Sequence, residues 1–309
     1  MAFNATVIAD SINPRGVRMI TMELTFPRVV LAEFNTHRAF SRNAASSRAI
    51  PVEKMIQRVL DDPFIPVFQK NKKGMQSTEP LSVEETVAAT SIWLRQRDDA
   101  VAAVRKLIGK YEVNERGEHW SNPWKDGITL DVHKQFANRL LEPWMWTTDI
   151  VTFTDVANYA NLRFSPHAEP SMARITEMGL EQIALSVPKK LRKGQWHLPL
   201  IFEEDYDMLR KEQITFDDLI KISVGRCARV SYLTHDGRRD LQADIDLHDR
   251  LLANGHMSPF EHQGRAMNSK VKRSGNLVGF EQYRKMLPNE NRTYFKCTLP
   301  SGRELILER

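Results

Sequence analysis

Residues 36–48 concentrate side chains that can bind anions. The stretch reads THRAFSRNAASSR and contains one histidine, three arginines, one asparagine and three serines. Arginine presents planar, forked donors that suit phosphate, and serine and asparagine add further hydrogen-bonding groups. These residue types indicate a site for an anion or for a polar ring system. A solvated, serine-rich helix end has the same composition, so this stretch alone leaves both interpretations open.

A second polar cluster spans residues 155–170, which read DVANYANLRFSPHAEP. Arg163 follows Asn158 by five residues and precedes His167 by four. Residues four apart share one face of a helix, so Arg163 and His167 lie close together if the helix continues or turns tightly there. Asn and Arg on a helix are also ordinary surface residues.

A third cluster, NGHMSPFEH, spans residues 254–262 and follows an amphipathic helical pattern. Asn254 and Gly255 are typical residues for ending that helix. The two histidines and one glutamate of the cluster match no strong zinc-binding spacing. We therefore expect no metal site here.

The composition is that of a soluble globular protein. The chain has 309 residues, of which 41% are hydrophobic and 27% charged, and a net charge of +5 favours anionic partners only mildly. Cys227 and Cys297 are far apart and have neither disulfide-framework nor metal-ligand spacing. We find no apolar run long enough to span a membrane and no signal peptide, so we expect a cytoplasmic enzyme.

The sequence predicts an α+β fold that is mostly helical and forms one domain. Residues 18–26 and 147–154 have strand patterns, and Pro27 opens a helical pattern that should end within the first polar cluster. Ser82 and Glu85 form a capping-box pattern before a long helix. Further helices are predicted at 132–142, 155–163, 168–187, 215–228 and 239–254, and loops at 69–80 and 114–127.

The three clusters together resemble elements of the flavin-dependent thymidylate synthases. Residues 36–49, the signature segment, are similar to that family's pattern R-H-R-x-x-S-x-N-E-x-S-x-R-Y. The matching residues are His37, Arg38, Ser41, Asn43, Ser46 and Arg48. Thr36, Ala44 and Ala49 depart from the pattern.

The other two elements match in content but not in order. NYANLRFSPHA resembles the family's N-x-x-N-L-R-x-x-x-H-A element, and GHMSPFEH resembles G-H-x-[ST]-P-F-E-H. In the family the latter element precedes the signature, whereas here it lies within residues 225–262, a segment that as a whole resembles the family's N-terminal part. This order predicts a circular permutation, in which residues 36–48 and GHMSPFEH come together around one flavin, in the same subunit or across a symmetric interface.

The resemblance implies an α+β fold with a central, mostly antiparallel sheet and surrounding helices, in a single domain of residues 1–309. It implies C5 methylation of a pyrimidine deoxynucleotide, dUMP to dTMP in the first instance. The cofactor is FAD, the co-substrates are NADPH and methylenetetrahydrofolate, and the assembly is a homotetramer. The family uses no cysteine nucleophile.

The resemblance also assigns roles to individual residues. It gives Arg163 the catalytic role of stabilising negative charge on the pyrimidine ring. Substrate-binding positions are Glu33, Ser46, Arg48, Arg139 and Arg163. Flavin-binding positions are His37, Arg38, Asn43, Asn158, His167, His256, Ser258 and Glu261.

Three departures leave the substrate open. Thr36 removes an arginine, Ala44 removes a carboxylate, and Glu33 stands where the family often has glutamine. Such changes can alter the choice between analogues, so dCMP or a different C5 one-carbon product is an alternative. A second alternative is a nucleic-acid-binding protein that uses residues 36–48 and the basic residues 270–274. The modest net charge and the 39 acidic residues argue against it.

Overall fold

The computed structural model describes residues 2–74, 77–109, 130–165, 167–230, 240–288, 290 and 294–308. These residues form a mixture of helices and strands, as the sequence predicts. The strands are β1 Asn4–Ile12, β2 Arg18–Pro27, β3 Phe40–Ala44, β4 Trp146–Phe153, β5 Lys189–Lys190, β6 Trp196–His197, β7 Gly264–Ala266, β8 Arg273–Ser274, β9 Leu277–Val278, β10 Phe280–Gln282, β11 Tyr294–Thr298 and β12 Glu304–Glu308. The α-helices are α1 Leu31–Phe34, α2 Val52–Asp61, α3 Val83–Leu107, α4 Lys134–Ala137, α5 Val156–Arg163, α6 Pro170–Leu185, α7 Glu203–Arg210, α8 Phe216–Val230, α9 Leu241–Ala253 and α10 Tyr283–Met286. Short 3-10 helices occupy Arg28–Val30, Asn138–Trp144 and Ser258–Glu261.

A five-stranded sheet organises the chain, with the strand order β3-β4-β2-β1-β5. The four long strands pair antiparallel, and only the short β5 pairs parallel to β1. β2 lies between β1 and β4, so the prediction that residues 18–26 form an internal strand is confirmed. β4 confirms the strand predicted at 147–154.

The two faces of this sheet differ in chemistry. One face buries aromatic and aliphatic side chains such as Phe26, Phe40 and Phe153 beneath residues of α1, α5 and α6. Because side chains alternate along a strand, the neighbouring positions point to the other face. That second face carries buried polar residues, among them Thr21 and Thr152, as well as apolar contacts with α8.

The helix predicted from Pro27 into the first polar cluster is too long. The structure has a 3-10 turn followed by α1, which ends at Phe34, and residues 40–44 then form β3. Phe40 packs in the apolar core, whereas Ser41 and Asn43 make hydrogen bonds on the other face. This alternation with a period of two is that of a strand, and it places the middle of the signature segment at the edge of the sheet.

The helix predicted at 132–142 is also interrupted. Only Lys134–Ala137 is α-helical, and a 3-10 helix that contains Pro143 follows it. Proline has no amide hydrogen and disfavours continuation of an α-helix. The other predicted helices are present as α5, α6, α8 and α9, and the Ser82–Glu85 capping box begins α3. The loop predicted at 114–127, and residues 231–239 of the segment 225–262, lie outside the described residues.

A buried ion network fixes α8 against α7 and α9. The Arg226 guanidinium contacts the carboxylates of Asp205 at 2.6 Å and Asp244 at 3.2 Å, and Arg229 contacts Asp244 at 2.6 Å. Gly225 permits the close helix crossing, because a Cβ there would lie 2.4 Å from the carbonyl oxygen of Asp244. This network fixes the C-terminal half of α8 relative to α7 and α9.

Candidate functional site

The N-terminal and C-terminal polar clusters meet within one chain. Asn43 on β3 donates from Nδ2 to the carbonyl oxygen of Cys227 on α8 at 3.0 Å. The Ser258 hydroxyl, at the start of a 3-10 helix, donates to Oδ1 of Asn43 at 3.1 Å. Asn43 and Ser258 are 215 positions apart in sequence, so their contact confirms the predicted closeness of the two segments.

An open cavity of about 460 Å³ lies at this junction. Its lining residues come from the signature segment, from α8 and from the chain around residue 256. They are Asn43, Ala44, Ser46, Arg48, Ala49, Ala228, Leu251, His256, Ser258 and Pro259. Ligand pockets commonly combine apolar walls with a few hydrogen-bonding groups at about this size. Arg48 and His256 are exposed, so a ligand in the cavity can reach them. We call this space the first cavity.

Arg163, at the end of α5, contacts two residues at which the chain departs from the family pattern. Its Nη2 donates to Oγ1 of Thr36 at 2.6 Å, and its Nη1 lies 3.5 Å from Oε1 of Glu33. The Thr36 hydroxyl in turn donates to the carbonyl oxygen of Glu33 at 2.7 Å. The Arg163 side chain is only 13% exposed, and its buried Nε has no hydrogen-bond partner among the described residues.

A second cavity of about 590 Å³ adjoins Glu33 and does not share any lining residue with the first cavity. Its lining residues are Glu33, Gln69, Ser77, Thr78, Ser165, His167, Ala168, Glu169, Pro170 and Ala173. Burial raises the pKa of the Glu169 carboxyl, and the nearby charge of Glu33 adds to that effect. Within one chain, therefore, the predicted substrate residues Glu33 and Arg48 border different cavities.

His37 lies inside the protein, although the resemblance assigns it to the flavin. Its ring stacks on Phe40 at a centroid distance of 4.8 Å and meets Tyr159 edge-on at 5.5 Å. Burial and the positive charge of Arg163 lower the pKa of this imidazole. Its Nε2 atom has no hydrogen-bond partner in the part of the chain that the structure describes.

Ser41 and Glu261 are engaged by neighbouring side chains. Ser41 donates to Oδ1 of Asn276 at 3.1 Å and accepts from Nε2 of Gln282 at 3.2 Å. Glu261 forms an ion pair with Arg284.

The remaining predicted positions lie at the surface. Arg38, Asn158, His167 and Arg139 are exposed. Arg139 donates from Nε to the carbonyl oxygen of Gln135 at 3.2 Å, within its own helical turn. The ligand-binding roles of these four residues stay predictions.

A chain of buried hydrogen bonds crosses the polar face of the sheet, and the sequence patterns do not reveal it. His197 bonds through Nδ1 to Ser11 at 2.9 Å and through Nε2 to Thr21 at 2.8 Å. Thr21 and Thr152 are 2.7 Å apart, and Thr152 bonds to Nδ1 of His262 at 2.9 Å. Burial lowers the pKa of both imidazoles to about 3, so both rings are neutral at physiological pH.

Asp149 is a second feature that the sequence analysis missed. It lies in the middle of β4, it is fully buried, and neither carboxyl oxygen has a hydrogen-bond partner among the described residues. Burial raises its pKa to about 7, although Arg42 and Arg28 oppose the shift. The available signal is a single acidic residue inside the β-branched stretch TTDIVTFT.

Cys227 is not an activated nucleophile. The thiol is fully buried, its sulfur accepts a hydrogen bond from Nε2 of Gln263 at 3.5 Å, and burial raises its pKa. A cysteine nucleophile requires a thiolate, which this environment disfavours. Across the described residues, no group of three or more His, Cys, Asp and Glu side chains is placed to hold a metal ion. None of the described helices has the length and apolar character that a membrane span requires.

Comparison with solved structures finds partial similarities at low sequence identity. A UMP/dUMP methylase, PolB from Streptomyces cacaoi with 5-Br UMP, is 14% identical, covers 60% of this chain and 87% of its own, and has a TM-score of 0.41. Thymidylate synthase X from Helicobacter pylori with FAD and dUMP is 14% identical, covers 53% of this chain and 67% of its own, and has a TM-score of 0.34. No protein-family profile and no curated protein sequence matches the chain.

Proposed function

We propose that this protein is an enzyme that adds a one-carbon unit to C5 of a pyrimidine nucleotide, with dUMP to dTMP as the leading reaction. The hydrogen bond between Ser258 and Asn43 carries the proposal, because it joins two segments that resemble one family's ligand-binding elements. Two unrelated solvated turns would have no reason to meet across 215 residues of sequence.

The same contact supports a circularly permuted order of the family's elements within a single domain. If the order were permuted, residues 36–48 and 254–262 would have to border one site despite lying at opposite ends of the chain. Asn43 and His256 line the same cavity, as this requires. Permutation is tolerated where the original ends of the chain lie close together at the surface.

The first cavity offers donors that fit a flavin. Asn43, His256 and Ser258 line it with amide, imidazole and hydroxyl groups, and Leu251 and Pro259 supply apolar surface. These residues, together with the exposed Arg38, would hold FAD. When bound, FAD would supply the redox and one-carbon chemistry, with NADPH and methylenetetrahydrofolate as co-substrates. The protein residues bind and orient the reactants.

Arg163 is proposed to activate the pyrimidine. A guanidinium at the oxygen and N3 edge of the ring stabilises the negative charge that makes C5 nucleophilic. The hydrogen bond to Thr36 fixes the plane of this guanidinium, and its Nε is left free of partners within the described part of the chain. The buried, protonated thiol of Cys227 favours a reaction without attack of that cysteine on the ring.

The separation of the two cavities supports an active site that is shared between subunits. Arg48 borders the first cavity and Glu33 borders the second, yet the resemblance assigns both to the nucleotide. A symmetric homotetramer would let one subunit's first cavity face another subunit's Arg163. Size-exclusion chromatography with light scattering tests this assembly, and a catalytically active monomer would refute it.

The decisive experiment combines a spectrum with a mass measurement. The purified protein should bind FAD and show a flavin absorbance band. After incubation with FAD, NADPH and methylenetetrahydrofolate, dUMP should gain the mass of one CH2 unit, because a methyl group replaces the hydrogen on C5. UMP and dCMP are assayed in parallel, and a gain on dCMP alone would identify the alternative substrate. No mass gain on any nucleotide would refute the catalytic proposal, and salt-sensitive DNA binding without flavin uptake would favour the nucleic-acid alternative.

Arg163→Lys is the matched catalytic variant. Lysine keeps the charge but loses the planar fork, so turnover should fall by about 100-fold or more while FAD binding persists. The control is Arg210→Lys, which changes an exposed arginine of α7 to which no ligand-binding role is assigned. Near-normal turnover in Arg163→Lys would remove its assigned role.

A further inference from the structure

A third cavity, of about 190 Å³, is lined by α2 and by residues 144–146, where β4 begins. Arg58 and Val59 follow Met55 by three and four residues in α2, so the three side chains share one face of the helix. Met55 and Val59 are buried in the core, which places Arg58 on the same inward side. The full lining is Met55, Arg58, Val59, Asp61, Asp62, Trp144, Met145 and Trp146, none of which lines the first or the second cavity.

Arg58 has unused hydrogen-bond donors. It is half-buried, and its side chain makes no hydrogen bond or ion pair with any described residue. Burial lowers the pKa of Arg58, and no neighbouring carboxylate raises it again. Asp61, at the rim of the cavity, accepts from Nε2 of Gln57 at 2.6 Å instead. A partly desolvated cation without a counterion costs free energy, which a bound anion would offset.

The other walls of the third cavity offer no donor. Nε1 of Trp144 donates to the carbonyl oxygen of Trp93 at 3.0 Å, and Nε1 of Trp146 donates to that of Asp62 at 3.1 Å. Both indole N–H groups are therefore already used, and methionine and valine side chains have no donors. Arg58 is thus the only lining side chain with free donors, and it presents a planar fork beside aromatic and thioether surface.

The volume and the chemistry of this cavity limit what it can hold. An engineered apolar cavity of about 150 Å³ binds benzene. A volume of about 190 Å³ therefore accommodates one ring with a small substituent. A guanidinium fork matches the two oxygens of a carboxylate, and indole rings pack well against another flat ring. The cavity is therefore suited to a planar anion that carries a single ring.

We propose that the third cavity binds a small aromatic carboxylate, whose two oxygens pair with the Arg58 guanidinium and whose ring packs against Trp144 and Trp146. Arg58 recognises the charge, and the two indoles recognise the ring. The inference goes beyond the proposed function and does not depend on it, because no residue assigned to the flavin or to the nucleotide lines this cavity.

Calorimetric titration of the full-length protein with benzoate tests the site. Benzamide is the neutral probe, because it has nearly the same shape and lacks the charge. Benzoate should bind with a dissociation constant below about 1 mM. Benzamide should bind at least about tenfold more weakly, since it cannot form the charged pair. This comparison uses the wild-type protein, so it does not depend on the folding of a variant.

Arg58→Met tests whether Arg58 is the group that binds the anion. Methionine keeps a long, flexible side chain that fits apolar surroundings, so we expect the variant to fold. It should bind benzoate at least about tenfold more weakly than the wild type, with unchanged affinity for benzamide. Arg210→Met is the matched control, because it removes the same charge from an exposed position on α7 and should leave benzoate binding unchanged.

Three results would overturn the inference. They are the absence of detectable benzoate binding to the wild-type protein, equal affinity of that protein for benzoate and benzamide, and wild-type affinity for benzoate in Arg58→Met. The last result would mean that Arg58 extends its charged group into water and only packs its stem against the cavity wall. None of these results bears on nucleotide or flavin binding, so the proposed function is tested separately.

Discussion

Replacing Asp149 by asparagine should stabilise the protein, and it should do so more at pH 7 than at pH 5. The folded protein holds the pKa of this carboxyl at about 7, against an ordinary value of 3.8. Between these two values the folded state keeps a proton that the unfolded state releases. Stability therefore falls as the pH rises from about 4 to about 7, and the cost is fully present above pH 7.

The size of the effect follows from the shift in pKa. Linkage gives a cost to wild-type stability of about 4 kcal/mol at pH 7 and about 2 kcal/mol at pH 5. Asparagine does not titrate, so its own desolvation cost is the same at both pH values. The stability difference between variant and wild type should thus shrink by about 2 kcal/mol from pH 7 to pH 5.

Urea-induced unfolding at the two pH values measures this difference directly. Both proteins are unfolded in the same buffers, so other titrating groups contribute equally and cancel in the comparison. A variant that is less stable than the wild type at pH 7 would contradict the reasoning. So would a stability difference that is the same at both pH values, because the carboxyl would then have an ordinary pKa.

Three further predictions use other parts of the molecule. In the Asp149→Asn background, lowering the pH from 7 to 5 should destabilise the protein by about 4 kcal/mol, because His197 and His262 have a pKa of about 3 when folded and 6.5 when unfolded. Urea unfolding measures this loss, and constant stability over that range would contradict the burial of neutral imidazoles. Asp244→Ala should lower the free energy of unfolding by about 3–5 kcal/mol, because the buried side chains of Arg226 and Arg229 each lose a carboxylate contact. Chemical denaturation measures this loss, and a value below about 1 kcal/mol would show that water reaches the network. Thr36→Val should reduce turnover by about tenfold without loss of FAD, because Arg163 loses a hydrogen-bond acceptor at 2.6 Å, and unchanged steady-state kinetics would mean that Thr36 does not orient the guanidinium.

Local sequence patterns correctly predict those helices and strands that depend mainly on their own residues. β-branched residues identify β4, alternating residues identify β2, and the capping box at Ser82 identifies the start of α3. β3 was missed because its three middle residues, 41–43, are all polar, so the sequence shows no alternation. The two-residue period becomes visible only in the structure, where Phe40 and Ala44 pack on the apolar core. A helical continuation from α1 satisfies the same local pattern.

The site is partly predictable for a similar reason. Motif resemblance brings together Asn43, His256 and Ser258, and the structure places these residues around one cavity. The contact between Thr36 and Arg163 and the complete burial of Asp149 could not be found in this way, because each depends on residues distant in sequence. Thr36 accepts a hydrogen bond from Arg163, and Asp149 is buried by the packing of the sheet.

The buried hydrogen-bond chain also has a consequence for the order of events during synthesis. Ser11, Thr21 and Thr152 leave the ribosome well before His262. This histidine lies 110 residues after Thr152 and completes the chain of hydrogen bonds. Until that imidazole docks, the threonine-bearing face of the sheet lacks one of its hydrogen-bonding partners and stays open to water. Domains that depend on such distant pairings finish folding late in translation. A nascent chain stalled before residue 262 should therefore remain sensitive to protease, and one extended far enough for residue 262 to leave the exit tunnel should become resistant.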